Sequence, residues 1–523
     1  MSTSSNHFDA IVIGTGAGGG TVTHELAQTG KKILVLERGE FLPREKENWA
    51  PEEVYQNHRY YAKEEWLDKD GQLFNPQTCY WVGGNTKVYG AALLPMRERD
   101  FEAVEHVDGL SPSWPLKYRD FAPYYAAAER LFNVHGKRGQ DPTEPERGDY
   151  PYPAIRHEPS VISIVENLQN LGYSPFHLPI GLKLNEADRT LSECIRCDTC
   201  DGFPCLLGAK ADAEVNCIRP AREKSNITLM TGARAVKLLP TLSGTEIAGV
   251  EVEVNNQRET FTANIVVVSC GAINSAALLL GSASDAHPHG LANSSGQVGR
   301  NFMKHHLTTI VALSDRVNDA TFQKTIGLND FYWGAEDFPY PMGMVQNTGN
   351  VKAGMIPAEA PPLLAPLAKV APEQVLEVAA RHATGWWLQT EDLPRRDTRV
   401  RLVNDKICLD YTPNNIEARD RLAHRWTETL KVVDESVVHV LPIGFYPRTH
   451  FPLSMVGHQC GTCRFGEDPT TSVLDLNCQT HDVKNLYVVD GSFFPSSSGV
   501  NPTLTIIANS IRVAEHLKEQ LSA

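Results

Sequence analysis

The segment 9–37, DAIVIGTGAGGGTVTHELAQTGKKILVLE, decides the fold. A short apolar run at 10–13 predicts a buried strand, and a glycine-rich turn follows it. Residues 21–28 predict a helix that ends at Gly30, and the run 32–37 predicts a second buried, parallel strand. Strand, turn, helix, strand is the opening unit of a doubly wound α/β domain.

The turn carries the phosphate-binding pattern G-x-G-x-x-G at Gly14, Gly16 and Gly19. The first glycine allows the tight turn, the second lets the backbone approach a pyrophosphate, and the third allows close helix–strand packing. The helix N-terminus then offers free N–H groups to the phosphates. Glu37 ends the second strand 23 residues after Gly14, where a carboxylate can accept hydrogen bonds from ribose hydroxyls. The segment predicts dinucleotide binding without distinguishing NAD from FAD.

Composition limits the classes of partner. A chain of 523 residues is too long for one compact core, which predicts two domains or one large bilobal enzyme. The formal net charge of −14 argues against nucleic acid as a partner, because phosphate binding needs clustered cations. The first residues lack a basic and apolar leader, and no apolar run is long enough to span a bilayer. We therefore expect a cytoplasmic protein with no membrane partner.

Four further motifs lie along the chain. They are VGGNT at 82–86, VGRN at 298–301, HQCGTCR at 458–464, and DGS at 490–492 followed by NPT at 501–503. With the N-terminal pattern, in this order and at this spacing, they resemble the glucose–methanol–choline (GMC) flavoprotein oxidoreductases, nearest to bacterial members that oxidise pyranoses or glycosides. The resemblance runs from about residue 8 to about residue 518 and implies FAD as the cofactor.

The resemblance implies an α/β fold class with two domains. One is a Rossmann-like FAD-binding domain, and the other is a discontinuous α+β substrate domain, a sheet flanked by helices that covers the flavin face. The expected divisions are FAD-binding parts at 1–150, 221–305 and 456–523, a crossing segment with a cysteine-rich loop at 151–220, and a substrate-binding part at 306–455.

The resemblance also assigns cofactor contacts. Besides the glycine turn and Glu37, the implied cofactor-binding residues are Arg38, Gly83, Gly84, Asn85, Thr86, Val236, Asp490, Gly491, Asn501, Pro502 and Thr503. The loop at 83–86 would approach the pyrophosphate and the flavin ring, and Val236 would contact the adenine through its backbone. Some relatives attach FAD through a histidine just after this loop. The matching stretch here, 87–89, has none, so we expect non-covalent FAD.

His458 is the expected catalytic base. Flavin-dependent alcohol oxidation needs a base that removes the hydroxyl proton while the carbon delivers hydride to flavin N5. A histidine suits this task because its unperturbed pKa is about 6.5. Asn501, 43 residues later, stands at the family's second catalytic position, where its amide can donate a hydrogen bond to the substrate oxygen. The alternative for His458 is a structural histidine, and the alternative for Asn501 is a turn residue before Pro502.

Two other groups of residues have competing interpretations. We expect His305 and His306, next to VGRN, to be structural or to shape the pocket. Five cysteines crowd into one segment: Cys194, Cys197, Cys200, Cys205 and Cys217. Their CxxC spacing suits zinc or an iron–sulfur cluster, but reduced buried thiols or a disulfide are the favoured interpretation. We therefore assign no metal site.

The expected reaction is FAD-dependent oxidation of a hydroxyl group to a carbonyl on a sugar, glycoside or aminoglycoside. The polar residue at the second catalytic position, the acidic chain and the cysteine-rich loop favour such substrates. The alternative is a dehydrogenase of a non-sugar alcohol, choline-like or other, that passes electrons to an acceptor other than oxygen through an iron–sulfur cluster. A non-redox FAD protein and an electron-transfer subunit are the competing classes. The choice between oxygen and another acceptor, and the oligomeric state, stay open.

Overall fold

A computed structural model describes residues 6–314, 316–435 and 446–522. The strands, in chain order, are β1 His7–Ile13, β2 Ile33–Leu36, β3 Trp66–Asp68, β4 Leu73–Phe74, β5 Val104–His106, β6 Gly109–Ser111, β7 Val134–Gly136, β8 Tyr152–Pro153, β9 Phe176–His177, β10 Ile180–Gly181, β11 Ile227–Met230, β12 Ala233–Pro240, β13 Ile247–Val254, β14 Gln257–Val268, β15 His306–Leu313, β16 Ile326–Leu328, β17 Met344–Asn347, β18 Ala383–Thr390, β19 Arg399–Val403, β20 Lys406–Asp410, β21 Arg448–His450 and β22 Leu486–Val488.

The helices are fewer and more varied in length. In chain order they are α1 Ala17–Leu26, α2 Tyr118–Leu131, α3 Pro159–Asn170, α4 Arg219–Ala221, α5 Ala272–Gly281, α6 Ile356–Glu359, α7 Ala365–Val370, α8 Glu373–Arg381, α9 Ile416–Glu435 and α10 Thr503–Ser522. Short π-helical turns occupy Glu52–Gln56 and Glu214–Ile218. None of the helices in the described ranges is at once long enough and apolar enough to cross a bilayer.

The first sheet has seven strands in the order β11-β2-β1-β14-β13-β12, with β22 paired to β14. Its centre is parallel, and Ala10 of β1 lies between Ile33 of β2 and Ile265 of β14. These central strands are continuous apolar runs because helices cover the sheet, and α1 packs against α10, which packs against α2. The predicted order of strand, turn, helix and strand in 9–37 is confirmed, but the helix begins earlier than predicted, at Ala17 within the glycine-rich run, and ends at Leu26.

The second large sheet has six strands in the order β21-β15-β18-β17-β16-β9. Its pairings are antiparallel, and α9 packs on β15 and β18. Trp386 of β18 and Trp426 of α9 meet edge to face, with ring centroids 4.7 Å apart. Strand β9 comes from the stretch expected to cross between domains, so part of that stretch pairs into this sheet. An α/β fold with a Rossmann-like sheet and a sheet flanked by helices is confirmed.

The glycine turn after β1 is where three strands and a helix come closest. A Cβ added to Gly14 would lie 2.2 Å from the Ser269 carbonyl oxygen, and Gly14 also has a left-handed φ of 98°. A Cβ on Gly18 would lie 2.3 Å from the Val489 carbonyl oxygen, and one on Gly19 would lie 2.0 Å from the Gly14 carbonyl oxygen. These contacts join β1, α1 and the residues that follow β14 and β22, because only glycine leaves room for the backbones to touch.

Replacing Gly19 with alanine should therefore destabilise the protein strongly. The new methyl would meet backbone atoms that cannot rotate away, so we expect the free energy of unfolding to fall by about 3 kcal/mol or more, the upper end for overpacking. The matched control is Gly148→Ala, where an added Cβ meets nothing within 4 Å. Thermal melts of both variants test this. Equal melting temperatures would contradict the packing described for the turn.

Candidate active site

A cavity of about 820 Å³ lies between the two large sheets. Its wall includes fourteen of the sixteen residues predicted to form the site: Gly14, Gly16, Glu37, Arg38, Gly84, Asn85, Thr86, Val236, His458, Asp490, Gly491, Asn501, Pro502 and Thr503. Gly19 and Gly83 are the two that do not reach the wall. Residues far apart in the chain thus surround one space of the size that proteins use for cofactors and small ligands.

Gly16 differs from the other glycines of the turn. It caps the N-terminus of α1 with an ordinary φ of −66°, and an added Cβ would meet nothing within 4 Å. The free N–H groups of the first helical turn are close by, and no side chain caps them. The position therefore offers open space beside a helix N-terminus, which suits a phosphate group.

Glu37 ties the glycine turn to the next motif. One of its carboxylate oxygens accepts hydrogen bonds from the Thr15 amide at 3.1 Å and the Thr15 hydroxyl at 2.5 Å, and the other accepts from the Gly39 amide at 2.9 Å. Burial raises the pKa of Glu37, and these hydrogen bonds oppose that rise. The Thr15 hydroxyl oxygen in turn accepts from the Gly83 amide at 3.0 Å. The oxygen of Glu37 that holds only the Gly39 amide can still accept a hydroxyl.

The loop at 83–86 is built for close approach. Gly83 has a φ of 100°, and Gly84 faces Gly16 so closely that a Cβ on Gly84 would lie 3.2 Å from the Gly16 Cα. The Asn85 side-chain oxygen accepts from the Cys79 amide at 2.8 Å, which leaves its amide hydrogens available to the cavity. The Thr86 hydroxyl donates to the Gly83 carbonyl at 2.5 Å and accepts from the Ala213 amide at 3.0 Å, so this hydroxyl holds the loop together.

Lys87 directly follows the loop, and its ammonium is part of a buried ion cluster. Its ammonium lies 2.9 Å from an Asp212 oxygen and 3.0 Å from a Glu214 oxygen, and all three side chains are largely buried. Burial acts to lower the pKa of Lys87, but the two carboxylates raise it above its ordinary value. The side chain just after the loop therefore serves the packing beneath it.

The Asp490 carboxylate shapes the site mainly by accepting hydrogen bonds from neighbouring protein groups, and less by presenting its charge to the cavity. Its carboxylate accepts from the Gly271 amide at 3.0 Å, the Ser275 hydroxyl at 2.5 Å, and both the amide and the hydroxyl of Ser492. With four protein donors, it has little capacity left for a ligand. Gly491 packs against the segment of His458, since an added Cβ would lie 2.2 Å from the Gln459 carbonyl oxygen.

Val236 lies at an irregularity of β12. Its neighbours Ala235 and Lys237 pair with Val252 and Glu251 of β13, and Val236 itself is skipped in the register. A residue left out of the ladder keeps backbone groups available for another partner. Val236 is also part of the cavity wall, as the backbone contact implied by the family resemblance requires.

His458 is oriented by His305. The His305 Nε2 lies 2.9 Å from the Ser498 carbonyl oxygen and 3.2 Å from that of Ser497. Carbonyls only accept hydrogen bonds, so this Nε2 must carry a hydrogen. In a neutral His305 the Nδ1 is then an acceptor, and it lies 3.0 Å from the His458 Nδ1. The His458 Nδ1 must therefore donate, which leaves the His458 Nε2 with a free lone pair.

Both histidines are held in the neutral form. Burial lowers the pKa of His305, and burial together with the neighbouring His305 lowers the pKa of His458 well below its usual range. The His458 side chain lines the cavity, and its Nε2 makes no hydrogen bond with any described residue. The result is an unprotonated imidazole nitrogen directed by its neighbours and open to a ligand.

Asn501 is oriented by a residue that the sequence did not single out. Gln346 of β17 donates from its side-chain nitrogen to the Asn501 side-chain oxygen at 3.3 Å. This contact leaves the Asn501 amide hydrogens available to the cavity. Gln346 itself is buried and lines the same wall. No sequence motif surrounds this glutamine, so its role becomes visible only where the two large sheets meet around the cavity.

The network behind His305 extends to a buried acid. Glu391 accepts from the Ser498 amide at 3.0 Å and from the Ser111 hydroxyl at 2.8 Å, and it lies 3.2 Å from the His106 Nε2. These bonds fix Ser498, which has a left-handed φ of 60°, and so hold the carbonyl that orients His305. His306 points to Asp392 instead, at 3.5 Å, which leaves His305 as the histidine of the pair that contacts His458.

Within the part of the chain that the structure describes, the cysteines form no disulfide and no metal-binding group. All eleven are unpaired thiols, and across 6–314, 316–435 and 446–522 no group of three or more His, Cys, Asp or Glu side chains is placed to hold a metal ion. Burial raises the pKa of Cys194 and Cys270 to about 12. Such thiols stay protonated and act as small apolar groups.

A glycine turn at a helix N-terminus and an imidazole with a free Nε2 share one cavity wall, an arrangement that suits a dinucleotide-dependent oxidoreductase. Models of the GMC oxidoreductase family match residues 177–307 and 448–510. The paromamine 6'-oxidase of Streptomyces fradiae is 31% identical over 97% of this chain and 91% of its own length. The 6'''-hydroxyparomomycin C oxidase of Streptomyces lividus is 30% identical over 99% and 92%. The chain belongs to the GMC oxidoreductases, as the sequence predicted.

Solved structures show the same fold. A pyridoxine 4-oxidase from Mesorbium loti superposes with a TM-score of 0.65 at 17% identity, covering 97% of this chain and 99% of that one. A formate oxidase from Aspergillus oryzae gives 0.66 at 15% identity, with 99% of each chain covered. As a member of the GMC family, the protein is an FAD-dependent oxidoreductase of the class that acts on CH–OH groups. Its cavity has an open helix N-terminus that suits the FAD pyrophosphate.

Proposed function

We propose that this enzyme oxidises a hydroxyl group of a sugar, glycoside or aminoglycoside to a carbonyl. The proposal rests on two groups that share one cavity wall. One is the His458 imidazole with a free Nε2, and the other is the Asn501 amide with free hydrogens. Two relatives that match nearly the whole chain are named for oxidising paromamine and hydroxyparomomycin C, which supports this substrate class. A third, 27% identical, is a 2-methyl-1,2-propanediol dehydrogenase, which supports a non-sugar alcohol as the alternative substrate.

Gly16, Gly84 and the N-terminus of α1 would hold the FAD pyrophosphate. Glu37 would accept a ribose hydroxyl, and the backbone of Val236 would contact the adenine. We propose that FAD is bound non-covalently, because the side chain after the loop is Lys87, and its ammonium is already paired with two carboxylates. We also propose the two-domain division given by the sequence. A cytoplasmic location remains a sequence-based prediction.

His458 and Asn501 would divide the work on the substrate. FAD, when bound, supplies the hydride acceptor. The His458 Nε2 removes the hydroxyl proton as the carbon–hydrogen bond breaks, and the Asn501 amide donates a hydrogen bond to the oxygen as negative charge develops there. His305 holds the His458 tautomer that leaves Nε2 unprotonated, so it acts as a positioning residue. Oxygen or another acceptor would then reoxidise the enzyme.

An anaerobic screen tests the proposed reaction. Neutral sugars, glycosides, aminoglycosides and simple alcohols are added to the purified protein, and flavin absorbance is followed before air is admitted. We expect rapid bleaching by a sugar or an aminoglycoside and slower bleaching by simple alcohols. Bleaching by none of these compounds would overturn the proposed function, and bleaching by simple alcohols alone would support the alternative. The return of colour in air distinguishes an oxidase from a dehydrogenase.

Replacing Gly16 with alanine should weaken FAD binding without unfolding the protein. The added methyl has no protein neighbour within 4 Å but would occupy the space proposed for the pyrophosphate. A steric cost of about 1–3 kcal/mol raises the dissociation constant of FAD about tenfold to a hundredfold. Flavin retention on gel filtration and fluorescence titration of the apoprotein measure this. Wild-type affinity in the variant would place the cofactor elsewhere.

Replacing His458 with alanine should slow flavin reduction by substrate about 10²–10⁴-fold, the usual contribution of a general base. FAD content should stay unchanged. The matched control is His289→Ala, because His289 is exposed on a loop outside the cavity wall. Stopped-flow reduction under anaerobic conditions compares the two variants. Fast reduction in the His458 variant would refute the assignment of the base.

The pH profile should show a catalytic base with an unusually low pKa. A base works in its neutral form, and burial with His305 nearby holds the pKa of His458 well below 6.5. Activity should therefore be retained as pH falls through 6.5 and be lost only when the lowered pKa is reached. The measurement is kcat/KM of the free enzyme from neutral to acidic pH. An acidic limb at or above pH 6.5 would contradict the environment described for His458.

A further inference from the structure

The carboxylate of Glu359 lines the cavity without a partner. Glu359 is the last residue of α6, and its backbone oxygen accepts from the Thr449 hydroxyl at 3.1 Å, which fixes the chain at this point. Its side chain makes no hydrogen bond or ion pair with any residue in the described ranges, although it forms part of the cavity wall. Glu37 and Asp490, two other acids of this wall, are held by several protein donors.

A second acid and two tyrosines lie next to Glu359. The wall also includes Asp201, Tyr55 and Tyr61. Burial raises the pKa of Glu359 to about 7, and the charge of Asp201 adds to that rise. Burial also raises the pKa values of Tyr55 and Tyr61, and Glu359 contributes to both. A partly buried carboxylate that is repelled by another carboxylate lacks a compensating positive charge.

Among the described residues, Lys324 is the lysine of the cavity wall that lies near this acidic group. Lys324 lies 3.9 Å from an Asp201 oxygen and also donates to the Gly90 carbonyl, so it is already used. The nearby Lys352 pairs with Asp198 and is not part of the cavity wall. Two carboxylates therefore face one lysine on this wall, and the excess negative charge favours a positively charged ligand. Tyrosine rings beside the carboxylates suit the same ligand, because a cation is attracted to a ring face.

This acidic group lies within reach of the proposed catalytic residues. Gln346 contacts Asn501, and three residues later the Gly349 amide donates to the Asp201 carboxylate at 3.2 Å. Three residues of extended chain span about 10 Å. One ligand can bridge this distance if it carries its positive charge on a ring next to the one that is oxidised.

We propose that Glu359, with Asp201 and the rings of Tyr55 and Tyr61, forms a subsite that binds an ammonium group of the substrate. The proposal rests on the proposed function and narrows it, because it selects amino sugars among the sugars and glycosides. Glu359 supplies the charge that is not already neutralised. Asp201, paired with Lys324, adds acceptor oxygens, and the two rings shield the ion pair from water.

The test compares a charged and a neutral form of one substrate. The probes are paromamine and its fully N-acetylated derivative, which carry the same sugar hydroxyl groups but differ in charge. The wild-type holoenzyme should prefer paromamine in kcat/KM. Glu359→Gln should raise the KM for paromamine about tenfold or more, the usual loss when a charge-assisted hydrogen bond is removed. The same variant should leave the KM for the acetylated probe and the limiting rate of flavin reduction within about twofold.

Two further variants separate charge from packing. Glu377→Gln on α8 removes the same charge from an exposed side chain outside the cavity wall and should change nothing. Glu359→Asp keeps the charge and should restore most of the preference for paromamine. Equal losses for both probes in Glu359→Gln, or an unchanged preference, would overturn the subsite.

Failure of the subsite and failure of the proposed function give different results. If the wild type oxidises both probes equally well, the subsite is overturned and the proposed function stands. If neither probe reduces the flavin, the proposed function fails for these compounds. Paromamine binding, measured as a shift in flavin absorbance, then decides the subsite. Weaker binding in Glu359→Gln but not in Glu377→Gln supports it, and equal binding in all three proteins overturns it.

Discussion

The rest of the structure depends on the contact of bare backbones at the glycine turn. Gly14 lies against the residue that follows β14, Gly18 lies against the residue that follows β22, and Gly19 closes onto Gly14. These contacts set β1, β14, β22 and α1 in one arrangement, since any side chain would separate them. The C-terminal residues that follow β22 therefore reach the cavity beside the first turn of the fold. A site drawn from both ends of the chain needs such a fixed meeting point.

The active site also depends on a chain of hydrogen bonds that runs from a buried carboxylate to His458. Glu391 fixes Ser498, the Ser498 carbonyl fixes the hydrogen on His305, and His305 fixes the hydrogen on His458. A backbone carbonyl can only accept, so the Ser498 carbonyl places the hydrogen of His305 on Nε2 and leaves the His305 Nδ1 as the acceptor. The tautomer of His458 therefore follows from the Ser498 carbonyl, with His305 between them. The cavity wall around Glu359 is arranged differently. The Glu359 carboxylate has no positively charged protein partner among the described residues, so a ligand can supply the counterion.

The sequence was enough to predict the fold and a set of motif residues on the cavity wall. Fourteen of its sixteen predicted site residues line the cavity. They could be predicted because glycine turns and motif spacings reflect local geometric requirements that any member of the fold must meet. Gly19 and Gly83 lie outside the wall, at the packing and the turn behind it, and their contact with the cofactor stays a prediction. Gln346 and Glu359 could not be predicted, since their roles arise where a strand and a short helix reach the cavity from elsewhere in the chain. The contact of His305 with His458 spans 153 residues, and no local pattern records it.

A crystal structure of the purified holoprotein tests the central claim most directly. The account predicts a flavin whose pyrophosphate lies at Gly16 and the start of α1, and whose ring faces the His458 Nε2 and the Asn501 amide. A flavin ring bound elsewhere, or a His458 Nε2 pointing away from it, would contradict the account.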